Sequence, residues 1–252
     1  MRICLFCDNV ANSKEDAWPD WLIRCVGEDP KSPTRYWRST LSPPQEWPGP
    51  RVPVKNVCKT CNGGWMSDLE NAARRPMGCL LHDLSVPLSP NDQQILATWC
   101  CKTAMVFESV KQDKNKFYSA TERQNLHAIH TLPTDTFVWL GRCAQSYLLH
   151  AESRKLRVKK PTKNSPVIDG CATTFVAKRL ILQMLSIRRA PDSDAVNLKL
   201  EIQGGNWQRS LIQAWPRAER AVIWPPPQAF GEHDDSLEKL MQRFSVGVRF
   251  GN

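Results

Sequence analysis

The stretch VCKTCNGGWM, residues 57–66, carries Cys58 and Cys61 at the spacing that lets one loop turn two sulfurs toward a single metal ion. A second pair, Cys4 and Cys7 in CLFC, stands far upstream. Two such pairs predict a tetrahedral Cys4 site for structural zinc. A thioredoxin-like redox motif would need one pair at a helix start. A structural zinc ion contributes on the order of 10 kcal/mol to folding, enough to hold a segment with little core of its own. Between the pairs runs SPPQEWPGPRVP, residues 42–53, whose five prolines exclude a helix interior or a central strand and predict an extended connection.

The remaining composition is that of an ordinary globular protein, 41% hydrophobic and 23% charged. No run reaches the roughly eighteen apolar residues of a membrane span, and residues 1–20 hold acids and a cysteine pair where a signal peptide would have an apolar core. These features predict a cytoplasmic protein with reduced thiols and no membrane partner. Cys25, Cys79, Cys100, Cys101, Cys143 and Cys171 sit in apolar or helical contexts that suit buried free thiols. The net charge of +9 is concentrated: residues 151–190 hold ten basic side chains against Glu152 and Asp169. Such a segment suits a polyanion partner, nucleic acid above all, or a solvated basic loop.

Helical periodicity begins after Trp65, with Met66, Leu69, Ala72 and Ala73, and is expected to stop at Pro76. Ser89, Pro90 and Asp92 predict the start of a long core helix over SPNDQQILATWCCKTAMVFESV. The stretch FVAKRLILQMLSIRR, residues 175–189, predicts another helix, apolar on one side and basic on the other. DTFVWLGRC, QSYLLHAE, NLKLEIQG and RAVIW read as strands. Helices and strands mix without a regular βαβ alternation, so the fold class is α+β. The expected organisation is a small Cys4 zinc module over residues 1–75, followed by a larger mixed α+β domain over 76–252 that contains the basic segment.

SKEDAWPDWL, residues 13–22, together with VKNVCKTCNGGWMSDLE, residues 54–70, resembles the zinc-bound branch of the HNH endonuclease family. The resemblance covers about residues 1–70. It implies a ββα-metal, treble-clef-like module framed by the two cysteine pairs. In that family an acid–histidine dipeptide is followed by a proline. An asparagine precedes the second pair, and histidine or asparagine follows it. Here Glu15 and Asp16 occupy the dipeptide, Pro19 is the proline, and Asn56 and Asn62 are the asparagines. The resemblance implies that Glu15 and Asn62, with Asp16, hold a divalent magnesium or manganese ion at a scissile phosphate, while Asn56 orients the base or ties down the loop. The family's general base is histidine, and this chain has Asp16 there, a poor base at neutral pH. The implied activity is metal-dependent phosphodiester hydrolysis on nucleic acid, with DNA favoured. The alternative is a catalytically inactive, zinc-stabilised module that binds nucleic acid or an acidic protein.

Other features point to structure first. His127 and His130 are three apart and could ligate a metal from a helix, but have no neighbouring acid or cysteine pattern. Trp18 and Trp21 could stack bases, though tryptophans beside a zinc knuckle commonly form its core. Gly63 and Gly64 lack the Lys-Ser or Lys-Thr of a phosphate loop and read as a tight turn. The oligomeric state is not encoded in any pattern of the chain.

Overall fold

Ser89 and Asp92 start the central helix of the protein as expected: the Asp92 backbone N–H donates to the Ser89 hydroxyl (3.1 Å), and the Ser89 N–H donates to the Asp92 carboxylate (2.9 Å). In this computed structural model the described residues are 2–27, 34–37, 45–47, 49–110, 116–158, 168–188, 198–203, 207–231, 237, 240 and 245–250. The helix, α4 (Pro90–Val110), is buried on every side from Leu96 to Ser109. None of the described helices is long and apolar enough to cross a membrane.

Ahead of α4 the elements are β1 (Glu15–Asp16), α1 (Asp20–Val26), β2 (Thr34–Trp37), β3 (Gln45–Trp47), β4 (Pro53–Val54) and a short helix α2 (Lys59–Cys61). A π-type turn, Asn62–Met66, then leads into α3 (Ser67–Leu81), and β5 (Val86–Leu88) follows. After α4 come α5 (Ala120–Ile129), β6 (Thr136–Val158), β7 (Ile168–Arg188), β8 (Leu198–Gln203), α6 (Trp207–Ser210), β9 (Leu211–Trp215), β10 (Val222–Trp224) and β11 (Ser245–Phe250). The architecture is mixed α+β. β6 is the axis of the main sheet. It pairs antiparallel with β7 along nearly its whole length, with β9 through Val138–Gly141, and in parallel with β2 at Ala151 and Glu152. The proline-rich connection contributes β3, which pairs with β2, and β4, which pairs with β1; residues 42–44 and 48 of that stretch lie outside the described residues.

Two expectations are corrected. The stretch 175–189 is not a helix: residues 175–188 belong to β7, and Arg189 lies outside the described residues. Cys171, Phe175 and Ala177, then Leu180, Leu182 and Met184, face the core shared with α4 and the cysteine knuckle. Ala172, Val176, Ile181, Leu185 and Ile187 face a second cluster containing Trp139, Phe230 and Leu237. Odd positions give way to even ones on the first face around Lys178, at φ 47°, where the β6–β7 pairing has a bulge whose extra residues lie on β6 between Arg142 and His150. A strand buried on both faces reads as a continuous apolar run, and the bulge breaks the two-residue period that would have betrayed it. Nor does Pro76 stop the helix. α3 runs on to Leu81 with Pro76, Met77, Leu80 and Leu81 buried, and this burial offsets the roughly 3 kcal/mol that an internal proline costs.

The larger core runs from the knuckle (Phe6, Val57, Met66) through α4 into β7 without a break, crossing residue 75, which lies inside α3. Trp18 is its joint, with ring centroids 4.9 Å from Phe107 of α4 and 5.4 Å from Phe175 of β7.

Candidate metal centre

Backbone hydrogen bonds fold the two cysteine loops onto each other. Leu5 N–H donates to Asn56 C=O at 2.7 Å, and the N–H groups of Cys58 and Cys61 point at the sulfurs of Cys4 and Cys58, both at 3.3 Å. The four sulfurs of Cys4, Cys7, Cys58 and Cys61 all lie within 4.8 Å of one another. Cys7 stands 3.6 Å from Cys58 and 3.5 Å from Cys61. The edge of a zinc–thiolate tetrahedron with 2.3 Å bonds is roughly 3.8 Å, so the donor set and its spacing fit zinc. Without an ion, burial pushes the Cys7 and Cys61 thiols up. At Cys58 burial pushes the same way, but the Cys61 N–H and the neighbouring thiols outweigh it and bring that thiol down to about 7. Metal uptake must therefore expel protons.

Beside the knuckle, the β1–β4 ribbon and the helix that follows it converge on one carboxylate. Glu15 pairs with Val54 across the ribbon, and its side chain lies near Asn62, the residue after the last thiol, close enough for the carboxamide to favour the charged form of Glu15. Burial pushes the Glu15 carboxyl up to about 7; nearby Lys102 pulls it down, while Glu70 and Asp16 push it higher. The Lys102 ammonium, on a side chain only 2% exposed, donates to Glu70 Oε1 at 2.8 Å and lies over the Trp99 ring at 5.5 Å.

The other expected site residues separate. Asp16 follows Glu15 along a strand, where successive side chains leave on opposite faces. Its carboxylate accepts from Arg51 Nη1 at 3.1 Å, and Arg51 also holds Asp20 at 2.7 Å. Asn56 donates to the Ser109 carbonyl at 2.9 Å and so ties the knuckle to the end of α4. Thus Glu15 lies near Asn62, Asp16 is held by Arg51, and Asn56 fastens a loop. Sequence reasoning missed Glu70 and Lys102. One signal was available: Lys102 interrupts the apolar run TWCCKTAMVF in a helix that has no solvent face there.

The remaining candidates are structural. Trp18 and Trp21 are buried and offer no stacking platform. His127 and His130 lie against the Trp65 ring, with centroids 5.5 and 6.1 Å away, and the cysteines form the only group of three or more converging metal-ligating residues among the described residues. The basic segment is partly committed. Arg154 is buried against Glu152, Arg179 donates to the Cys143 and Ala144 carbonyls, and Arg188 pairs with Glu122 at 2.7 Å. Lys155 is exposed on β6, while Lys159, Lys160 and Lys163 lie outside the described residues.

No protein-family model, curated protein or solved structure matches the chain. The function therefore has to be argued from the Glu15–Asn62 geometry and the four thiols.

Proposed function

We propose that the chain is an HNH-like, metal-dependent nuclease in which zinc at Cys4, Cys7, Cys58 and Cys61 holds the framework and Glu15 with Asn62 forms the working centre. One observation carries this reading: the β1–β4 ribbon sets a buried carboxyl, Glu15, near Asn62, the residue that directly follows the last thiol. Their oxygen donors suit a hard cation such as magnesium or manganese. Such an ion, when bound, would polarise a phosphodiester and stabilise its leaving oxygen. Glu15 and Asn62 hold and orient, Asn56 fixes the knuckle to α4, and the cations beyond Lys155 supply the attraction for a polyanion, DNA before RNA. Four reduced thiols require a reducing compartment, which the cytoplasm provides.

The test is cleavage of supercoiled plasmid and of single-stranded RNA with added magnesium or manganese. Glu15→Ala and Asn62→Ala should each lower the rate at least about 100-fold with zinc content unchanged. Asp16→Ala should cost less, since that carboxylate belongs to Arg51. Wild-type cleavage that persists in Glu15→Ala would end the assignment. The same Asp16–Arg51 pair favours a second reading, a zinc-held binding module that lacks a base. Salt-sensitive nucleic-acid binding with no cleavage by any divalent ion is its signature.

A further inference from the structure

A lysine ammonium is seldom placed inside a protein, because removing it from water is costly unless a partner compensates. Lys102 is 2% exposed and stands in the middle of α4, yet it reaches α3 to bond Glu70 at 2.8 Å and acts on Glu15 of β1. Two helices thus meet in a Lys102–Glu70 pair, and the charges of both members act on Glu15 of a third element. We propose that Lys102 is the positioning residue of this centre, a resident counter-cation that keeps Glu70 turned toward Glu15 when no divalent ion is there. In this arrangement Glu70, donated from α3, takes the place beside Glu15 that the dipeptide pattern would give to Asp16. The inference rests on the nuclease reading for its choice of ion, but its readout is stability and ion binding.

The experiment uses the zinc-loaded full chain, with manganese as the probe. Lys102→Met removes the charge at nearly constant volume and leaves the partly buried Glu70 without its partner. The melting temperature without manganese should fall by roughly 5–15 °C. Saturating manganese should recover at least half of that loss, and it should stabilise the variant more than the wild type. Adding Glu70→Gln to Lys102→Met should restore the melting temperature without manganese and abolish the extra response. Glu70→Gln alone keeps the test open should Lys102→Met not fold: it should weaken manganese binding at least about tenfold, by spin-resonance titration, with zinc content unchanged. A loss in Lys102→Met that manganese does not reverse and Glu70→Gln does not relieve would overturn the proposal and leave Lys102 an ordinary structural pair. Unchanged manganese affinity in Glu70→Gln would overturn it too. Manganese rescue in a chain that cleaves nothing would sink only the nuclease reading, and Glu15-dependent cleavage without rescue would sink only this one.

Discussion

Glu15 is held in an environment that disfavours its charge, and this has a measurable signature apart from any catalysis. Burial lifts its carboxyl from 4.5 to about 7, so between those values the folded chain keeps a proton that the unfolded chain has lost. Stability must fall as pH rises through that window and level off above about 7. The full effect is on the order of 3 kcal/mol. Glu15→Gln removes the titration, so without magnesium or manganese the variant should be more stable than the wild type at pH 8 and closer to it at pH 5. Urea unfolding of the zinc-loaded proteins at both values checks this; equal losses in the two would show that Glu15 is not the strained group. The four converging thiols were legible because two CxxC spacings are a local signal, and Glu15 and Asn62 could be named only through their offsets from them. The Glu70–Lys102 pair was not legible, because its members come from helices whose relative placement depends on tertiary packing.

Among the elements, β7 shows why local pattern can mislead. Its sequence FVAKRLILQM satisfies a helical template because both faces of the strand are buried and the alternation shifts by one residue around Lys178. Lys178 has φ 47°, in the left-handed region that costs most side chains roughly 1 kcal/mol and costs glycine little. Lys178→Gly should therefore stabilise the protein by about 0.5–1 kcal/mol, and Lys178→Val should destabilise it by more than that. Chemical denaturation of the two variants decides. If both behave alike, the bulge is not what sets the two faces of β7. In α4 the signals were local and their reading was right: a side-chain cap from Ser89, an acid at the positive helix end, and a long apolar run interrupted at Lys102. In α3 the expected stop failed at Pro76, since burial of the last turn outweighs the lost backbone bond.

At the level of the whole molecule, the question is whether the zinc module can come apart alone. Its core is continuous with that of α4 and β7 through Trp18, Phe107 and Phe175, and Arg123 of α5 donates to the Leu5 carbonyl inside the knuckle at 3.1 Å. A structural zinc is worth on the order of 10 kcal/mol, comparable to the roughly 5–15 kcal/mol net stability of a typical domain. Losing it should therefore unfold both parts together, and the ten cysteines make this countable. In the zinc-loaded protein only Cys25 and Cys79, both partly exposed, should react with an alkylating reagent at pH 8. Cys100, Cys101, Cys143 and Cys171 are buried, and burial lifts the Cys143 thiol to about 12 and that of Cys171 to about 11, so reactive thiolate is scarce there. Stripping zinc with a chelator should take the count from two to ten in a single phase, followed by mass spectrometry. A stable plateau at six, the two exposed thiols plus the four ligands, would show instead that the knuckle opens by itself and that the rest of the chain folds without it.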